Sequence, residues 1–394
     1  MTREVVVVAG VRTAVGDFGG SLKDFSPTQL GAMVVKEVVA RAGVSADQVG
    51  HVVFGHVVNS EPRDMYLSRV AAIEGGLDKS TPALTLNRLC GSGLQAIVTA
   101  AQSIMLGDAD VAIGGGAESM SKAPYILPAA RWGARMGDMK GIDMMVGALH
   151  DPFHVIHMGV TAENVAKASS ISREMQDTLA AASQAKAAAA QDAGKFADEI
   201  VGVNLPQKKG DPIVFNTDEF INRKTTSEVL SGLRPAFDKA GSVTAGNASG
   251  LNDGAAAVVV MSADKAKELG LTPLARITSF ATSGLDPALM GLGPVSASKK
   301  ALERAGWSAQ DVDLFELNEA FAAQACAVNQ ELGLDSSKVN VNGGAIALGH
   351  PIGASGCRIL VSLLHEMKRR DAKKGLAALC IGGGMGVALT VERI

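Results

Sequence analysis

Short, wholly apolar stretches alternate along the chain with stretches in which apolar residues recur at helical spacing. Four valines at residues 5–8, and the apolar residues of 49–55 and 109–113, predict strands. The amphipathic runs over 27–41 and 65–75 predict helices between them. This alternation predicts an α/β protein whose sheet is dominated by parallel strands and covered by helices.

The first and last parts of the chain resemble each other at a constant offset of 263 residues. The repeated segments are Ser-Gly at 92–93 and 355–356, Ala-Gly-X-Ser-Ala at 42–46 and 305–309, and, after a longer connection, Ile-Gly-Gly-Gly at 113–116 and 381–384. A match of this extent indicates a duplicated α/β unit. Two related halves that face each other would bring two glycine-rich strand-to-helix turns to one cleft.

The segment between the halves differs from them in amino-acid composition. Residues 121–248 are rich in methionine, histidine, proline and glycine at first, and then contain an alanine-rich predicted helix over 173–194. This segment is too apolar to be a disordered linker. We expect an inserted lobe at 121–248, a first half made of 1–120 plus 249–271, and a second half at 272–394.

Composition excludes several classes of protein. The 394 residues carry a net charge of −3, only 4% are aromatic and the basic residues are dispersed, which argues against nucleic-acid binding. No stretch approaches the ~20 apolar residues of a membrane span, and the strand at 5–8 leaves no room for a signal peptide. Four cysteines without paired spacing favour a reducing cytoplasm, and the cysteines and histidines show no zinc-binding spacing.

Cys90 lies between a stretch predicted to be extended, 82–89, and a predicted helix over 94–106. A thiol at such a turn faces free backbone N–H groups and the positive end of the helix dipole, which predicts a lowered pKa and a reactive thiolate. The alternative is a buried, inert core cysteine. The glycines beside Cys90 and the repeated turn in the second half favour the reactive role.

Residues 91–96 also fit the dinucleotide-binding pattern G-x-G-x-x-A. That pattern requires an apolar strand that runs straight into the first glycine, and polar residues intervene here. Asp108 and Asp110 precede the next strand, whereas a ribose-binding acid should follow it. Nucleotide binding is therefore the weaker interpretation.

Three further residues have sequence contexts that favour function. His350 lies in a glycine-flanked turn before Pro351, and Cys380 precedes three glycines at 382–384 that would leave backbone N–H groups free for a ligand oxygen. Asn318 follows a predicted strand and is either functional or a helix N-cap. The remaining histidines His51, His56 and His365 have no supporting context and are expected to be structural.

Five motifs together resemble the thiolase family over the whole chain. They are Asn-Arg-Leu-Cys-Gly-Ser-Gly at 87–93, Asn-Ala-Ser-Gly-Leu-Asn-Asp-Gly at 247–254, Asn-Glu-Ala-Phe at 318–321, Gly-His-Pro-Ile-Gly at 349–353 and Cys-Ile-Gly-Gly-Gly at 380–384. The resemblance implies a duplicated fold of two similar mixed-sheet halves packed as layers, with an inserted α/β lobe. It implies reversible conversion of acetyl-CoA and a short acyl-CoA into 3-ketoacyl-CoA and CoA.

The resemblance also implies catalytic roles. Cys90 would attack the thioester carbonyl and carry the acyl group, His350 would accept the thiol proton, and Cys380 would move the proton at Cα. One oxyanion hole would consist of His350 and a water held by Asn318, the other of the backbone N–H groups of Cys90 and Gly382. Two cysteines that address one carbon would also be close enough for mild oxidation to join them.

The substrates implied are acetyl-CoA, short acyl-CoA and CoA, with no cofactor and no metal, in a homo-oligomer (dimer or tetramer). The residues expected to contact CoA or the acyl group are Leu149, His157, Met158, Arg223, Ser249, Gly250, Met290, Ala320 and Phe321. Two positions depart from the family pattern: Asn-Arg-Lys at 222–224 replaces a common Arg-His, and Met385 replaces a common Gln.

Two alternatives remain. A ketoacyl synthase would share the duplicated fold, but it would normally have a second histidine at the position of Cys380. A non-catalytic protein that binds CoA or lipid would have no need of Cys90, His350 and Cys380 together.

Overall fold

The structure is a computed structural model that describes residues 3–394. Within these residues the strands are β1 Val5–Thr13, β2 Gly16–Asp17, β3 His51–Gly55, β4 Ala83–Leu86, β5 Val111–Ser119, β6 Tyr125–Ile126, β7 Ile142–Asp143, β8 Ile200–Val201, β9 Val203–Leu205, β10 Ile213–Phe215, β11 Asn252–Ser262, β12 Ala275–Gly284, β13 Leu314–Leu317, β14 Lys374–Ile381 and β15 Met385–Glu392. The helices are α1 Pro27–Ala42, α2 Leu67–Glu74, α3 Ser92–Leu106, α4 Met144–Ala148, α5 Met158–Ala168, α6 Arg173–Asp192, α7 Ser227–Ser231, α8 Ala263–Glu268, α9 Gly293–Ala305, α10 Ala322–Leu332, α11 Ala345–Leu348 and α12 Ile352–Arg370.

Eleven strands of the described residues form one sheet, nine of them in the order β13-β14-β15-β12-β1-β11-β5-β3-β4, with β2 paired to β11 and β8 paired to β1. The halves meet where β1 and β12 pair through Val6–Arg276 and Val7–Ala275. The expected dominance of parallel strands is wrong: β3 is parallel to β4 and β5, and β13 to β14, but the longer ladders of β11 and β15 are antiparallel. Both long strands lie between strands of opposite direction, which makes each half a mixed sheet.

The strands are apolar along their whole length because both of their faces are buried. Along β11, Ala257 and Val259 pack with α1 and α2, whereas Val258 and Val260 pack with α3 and α12. On the other half of the sheet, β14 and β15 contact α3 and α12 on one face and α9 and α10 on the other. The helices α3 and α12 therefore form a central layer between the two halves, and strands without polar alternation are what such a position requires.

The repeat seen in the sequence is a repeat of structure. The strands β5 and β14 begin 263 residues apart, at Val111 and Lys374, as do β3 and β13. The helices α3 and α12 cross at the related glycines Gly93 and Gly356. A Cβ on Gly93 would lie 2.7 Å from the backbone nitrogen of Cys357, and one on Gly356 would lie 2.2 Å from that of Leu94. Gly93, in the G-x-G-x-x-A pattern at 91–96, thus permits close helix packing, and dinucleotide binding is not needed to explain this glycine.

The expected match between the two glycine triplets is wrong. Residues 114–116 lie inside β5, where Gly116 has the carbonyl oxygen of Gly353 2.1 Å from the place of a Cβ. Residues 382–384 instead form the turn between β14 and β15, with Gly383 and Gly384 at positive φ. One triplet allows packing, and the other allows a tight turn.

The segment between β5 and β11 contains α4 to α7 and the short strands β6 to β10. It is joined to the sheet where β8 pairs with β1, and where the buried guanidinium of Arg12 binds Glu199 at 2.6 Å and Asp218 at 2.7 Å. By length and composition, one stretch of the described residues, Leu89–Leu106, which includes α3, could cross a membrane, contrary to the expectation from the sequence, but more than half of it is buried inside the protein.

Candidate active site

Cys90 occupies a tight turn between β4 and α3. Leu89 adopts a left-handed conformation with φ of 47°, which is unusual for a residue with a branched side chain. The hydroxyl of Ser92 accepts a hydrogen bond from the Arg88 N–H at 2.7 Å and donates one to the Leu89 carbonyl at 2.7 Å. Backbone strain beside a side chain in a cavity is typical of a functional turn.

The prediction that this position lowers the pKa of Cys90 is wrong for the structure. Burial raises the pKa of the thiol to about 11, although hydrogen bonds from the backbone N–H groups of Gly382 and of Cys90 itself act in the opposite direction. The cysteine is a protonated thiol that requires a base.

His350 is buried at the start of α12, the second of the related turns. Gly349 precedes it with φ of 99°, and a Cβ there would lie 2.5 Å from the side chain of Asn252, which accepts the His350 N–H at 2.9 Å. Nδ1 of His350 lies 2.6 Å from the hydroxyl of Ser355, which donates to the Pro351 carbonyl at 2.9 Å.

This arrangement defines the tautomer of His350. Because the Ser355 hydroxyl donates its proton to the Pro351 carbonyl, it can only accept from His350. Nδ1 therefore carries the imidazole proton, and Nε2 is an acceptor. Burial, and the positive charge of Arg358, lower the pKa of His350 to about 3. The imidazole is therefore neutral at pH 7, with its lone pair available to take a proton.

Asn318 lies directly behind His350. Its Nδ2 is 3.5 Å from His350 Nε2, and its Oδ1 is buried without a protein hydrogen-bond partner. The possible role as a helix N-cap is excluded, because α10 begins at Ala322 and its N-cap residue is Phe321. A buried amide with an unused oxygen is suited to hold a water or a substrate group.

Cys380 is fully buried near the end of β14, opposite Gly386 of β15. Burial raises the pKa of its thiol far above the ordinary range, and the neighbouring charge of Cys90 raises it further. The two cysteines are free thiols that belong to the same cavity. The expected oxidation to a disulfide stays a prediction.

A cavity of about 390 Å³ joins these groups. Twelve of the residues expected from the sequence line it: Cys90, Leu149, His157, Met158, Ser249, Gly250, Met290, Ala320, Phe321, His350, Cys380 and Gly382. The lining residues that sequence reasoning missed are Leu89, Met120, Ala148, Ala236, Phe237, Ala245, Ala248, Leu251 and Ile352. A second cavity of about 660 Å³, between α6 and α10, contains none of the expected residues.

The segment between β5 and β11 contributes Leu149, His157 and Phe237 to the lining of the site cavity. His157, the N-cap residue of α5, stacks on Phe237 at 4.6 Å between ring centroids, and Phe237 meets the edge of Phe321 at 6.1 Å. Ser249 bonds the carbonyl of Ala320 through both its N–H and its hydroxyl at 3.0 Å. The aromatic stack and this short bridge give the cavity an apolar, elongated wall. No sequence pattern marked Phe237.

Arg223 is the one expected residue that the structure places apart from the others. Its guanidinium forms two hydrogen bonds of 2.8 Å with Asp192, and the side chain is about half exposed. A CoA phosphate would have to compete with this ion pair, so the phosphate contact stays a prediction. Among the described residues no cluster of His, Cys, Asp and Glu has the arrangement of a metal site.

Comparisons of sequence with known families agree with the geometry. The model of the thiolase N-terminal domain matches residues 5–264, and that of the thiolase C-terminal domain matches residues 271–393. The chain is 63% identical to the beta-ketothiolase BktB of Cupriavidus necator over the full length of both proteins. It is also 63% identical to an acetyl-CoA acetyltransferase of the same organism, with 99% of each chain covered.

Solved structures show the same fold. The acetyl-CoA acetyltransferase of Bacillus anthracis superposes with a TM-score of 0.97 at 48% identity, covering 100% of this chain and 99% of the other. Human mitochondrial 3-ketoacyl-CoA thiolase in complex with CoA superposes with a TM-score of 0.96 at 46% identity, covering 100% and 98%. Both family models, the full-length relatives and the shared fold lead to one conclusion: the chain belongs to the thiolase family.

Proposed function

We propose that this protein is an acyltransferase that reversibly joins acetyl-CoA and a short acyl-CoA into 3-ketoacyl-CoA and CoA, with the acyl group carried on Cys90. The observation that carries the proposal is the meeting of Cys90, His350 and Cys380 in one cavity. The names of the full-length relatives, beta-ketothiolase and acetyl-CoA acetyltransferase, support the same reaction.

In the transfer step, His350 Nε2 takes the proton of the Cys90 thiol as the sulfur attacks the thioester carbonyl. The tautomer held by Ser355 supports this role, since Nε2 is the unprotonated nitrogen. The sulfur displaces CoA as a thiolate, which recovers the proton from His350 and leaves as CoA thiol. The backbone N–H groups of Cys90 and Gly382 form hydrogen bonds with the sulfur, which supports a role for them in binding the carbonyl oxygen as it becomes negative.

In the carbon–carbon step, Cys380 acts as the acid/base at Cα of acetyl-CoA. Cys380 acts here as the thiolate, after it has passed its own proton to His350, and loss of the Cα proton gives an enolate. The enolate attacks the acyl carbonyl on Cys90 and expels the Cys90 sulfur, which recovers the proton from His350. With that proton on Nε2, His350 would donate a hydrogen bond to the enolate oxygen, and a water held by Asn318 would donate another. The buried, unpartnered Oδ1 of Asn318 supports such a water. Thiolysis is the same sequence reversed.

The CoA chain would enter along the wall formed by the inserted lobe. Leu149, His157, Met158, Ser249 and Gly250 line the cavity and would contact this chain. Met290, Ala320 and Phe321 would surround the acyl end, where an unbranched thioether adapts to different short chains. The narrow, largely apolar shape fits a pantetheine arm better than a bulky polar ligand.

We also expect a homo-oligomer, a dimer or a tetramer. The segment 125–155 exposes large apolar side chains that a monomer would leave in water, among them Trp132, 89% exposed, and Met136, 96% exposed. An exposed patch of this kind is typical of a protein interface. Light scattering would give the mass of the assembly.

The test of the covalent step is incubation with acetyl-CoA alone. Intact-mass analysis followed by peptide mapping should place one acetyl group on Cys90, because transfer precedes entry of the second substrate. The variant Cys90→Ser should lose nearly all turnover, since a hydroxyl is a much poorer source of the attacking anion. An acetyl group on another residue, or none, would overturn the proposed function.

A further inference from the structure

Three ionisable side chains, His56, Asp64 and Glu118, form a buried cluster beside the site cavity. His56 follows β3, Asp64 lies in the short 3-10 helix Pro62–Tyr66, and Glu118 lies near the end of β5. The sequence context of His56 predicts only a structural role for it. Buried charges persist in a protein only when they are paired or hydrogen-bonded, so the cluster requires an explanation.

Glu118 fixes the backbone that surrounds the nucleophile. Its carboxylate accepts the N–H of Val57 at 3.1 Å, of Val58 at 3.2 Å and of Gly353 at 2.9 Å. Val57, Val58 and Ile352, the neighbour of Gly353, pack in the same apolar cluster as Cys90. One carboxylate therefore ties two segments of the wall of Cys90 together.

His56 is held between the two carboxylates. Its Nδ1 lies 3.0 Å from the carbonyl oxygen of Ala117 and 3.2 Å from Glu118, and since both are acceptors, Nδ1 must carry a proton. Its Nε2 faces Asp64 at 3.8 Å, and it is buried without a hydrogen-bond partner. The atom at 3.8 Å is Oδ2 of Asp64, which already accepts hydrogen bonds from Ser60 and Glu61, so a proton on Nε2 would face the charge of this carboxylate and not an unused oxygen.

The charged groups that face His56 are Glu118 and Asp64. Burial acts to lower the pKa of His56, but the charge and hydrogen bond of Glu118, the Ala117 carbonyl and the charge of Asp64 together raise it above 6.5. The imidazolium therefore persists at a higher pH than it would in an exposed histidine. Its charge opposes that of Glu118.

The charge of Glu118 acts on the nucleophile. After burial, which is the main cause, Glu118 is the other group that raises the pKa of Cys90. A negative charge near a thiol disfavours the thiolate, and a positive charge beside that carboxylate reduces the effect. The carboxylate of Glu118 holds the backbone around Cys90 in place, and a cation beside it reduces its unfavourable effect on the Cys90 thiolate.

We propose that His56 is a positioning residue for Cys90: its imidazolium, held between Glu118 and Asp64, neutralises the carboxylate that fixes the wall of the nucleophile. This proposal rests on the proposed function in one respect, that Cys90 is the nucleophile. It adds a group outside the cavity that sets how readily the thiolate forms.

The test is the variant His56→Asn, whose amide can keep the donor at the place of Nδ1 but carries no charge. The rate of alkylation of Cys90 by iodoacetamide would be followed between pH 6 and 10 in the absence of substrate, with peptide mapping to separate Cys90 from the other three cysteines. We expect the apparent pKa of Cys90 to rise, with a rate about 3- to 10-fold lower at pH 7. The variant Asp64→Asn should shift the profile in the same direction by less.

His365→Asn is the matched control, because His365 also bonds a backbone carbonyl, that of Gly10 at 3.0 Å, but lies outside the cluster. A profile for His56→Asn that coincides with those of the wild type and of this control would overturn the proposal. A rate of Cys90 alkylation that rises equally at every pH would show a loosened wall and would also overturn it. Acetylation of wild-type Cys90 by acetyl-CoA tests the proposed function separately, since it does not involve His56.

Discussion

Burial shifts the pKa values of Cys90 and His350 in opposite directions, and both shifts favour the neutral form of the side chain. It raises the pKa of the thiol to about 11 and lowers that of the imidazole to about 3, so both groups are neutral at pH 7 in the empty site. A thiolate–imidazolium pair is then too costly to form unless something new stabilises it. A thioester carbonyl that receives the negative charge is such a group, which protects the nucleophile until the substrate has bound.

Cys380→Ala should separate the two half-reactions. Transfer of acetyl between CoA molecules needs only Cys90 and His350, whereas condensation and thiolysis also need the proton moved at Cα. Condensation and thiolysis should each fall by about 10²–10⁴, the usual contribution of a general acid/base, while acetyl exchange falls much less. The measurement is the rate of isotope exchange between labelled acetyl-CoA and CoA beside the two steady-state rates.

Cys90→Ala is the control, and it should abolish exchange and both overall reactions together. If Cys380→Ala lowered exchange as deeply as condensation, Cys380 would act on the nucleophile or on the fold, and the division of roles would be wrong.

Ser355→Ala should impair His350 without removing it. Nδ1 would lose its partner and the imidazole could turn or change tautomer, so acetyl exchange should fall about 10- to 100-fold, equivalent to ~1.5–3 kcal/mol for one buried hydrogen bond. Ser362→Ala is the matched control, since Ser362 is on the same helix but bonds Glu199 at 3.0 Å. Equal exchange rates in the two variants would show that Ser355 does not orient His350.

Residues that belong to a continuous motif could be found from the sequence, and their partners could not. Cys90 and His350 are next to glycines, and Cys380 is two residues before Gly382, so each lies in a motif whose backbone geometry is itself a signal. Phe237 and His56 contact residues distant in the chain, and nothing in their own neighbourhood marks them. Ser355 belongs to the repeated Ser-Gly, but that repeat does not show that its hydroxyl contacts His350. Burial likewise reverses the pKa that the local position of Cys90 predicts, because desolvation depends on the whole fold.

Helices α3 and α12 are the element on which the site depends, since the turn that holds Cys90 precedes one and His350 precedes the other. Their crossing depends on Gly93 and Gly356, which allow backbone contact. The sequence repeat at an offset of 263 residues locates this crossing, because the repeated Ser-Gly at 92–93 and 355–356 contains the two glycines at which the helices meet. The reversed chain directions within the sheet were not predictable, since alternation of strands and helices does not specify strand order.

Gly356→Ala should destabilise the protein by ~1–3 kcal/mol or more. A Cβ would lie 2.2 Å from the backbone nitrogen of Leu94, which cannot move as a flexible side chain could, so the helices must separate. Unfolding by urea gives the change in free energy. Gly147→Ala is the matched control within α4: no atom lies within 4 Å of its Cβ position, and the helix should gain up to ~1 kcal/mol. Equal stability of the two variants would contradict close packing at the crossing.

At the scale of the whole molecule, buried His350 makes stability depend on pH. The pKa of His350 is 6.5 in the unfolded chain and about 3 in the folded one. Between these values only the unfolded chain binds the proton, so the free energy of unfolding falls as pH decreases from 6.5. His350→Gln removes this contribution.

The loss of unfolding free energy between pH 7 and pH 5 should therefore be ~2 kcal/mol smaller in His350→Gln than in the wild type. Urea unfolding at the two pH values measures the difference. His365→Gln serves as control for the loss of one histidine. A pH dependence in His350→Gln as steep as that of the wild type would mean that His350 is charged, or exposed, in the folded protein.

The position of the two related turns also determines when the enzyme can first become active. Cys90 comes from the first half, whereas His350, Cys380 and Gly382 come from the second, and β11 must return to the first half after the inserted lobe. A growing polypeptide on the ribosome thus displays the nucleophile turn long before any partner for it exists. No fragment that stops short of residue 382 contains a complete site, and two separately made halves would have to assemble before either could catalyse anything.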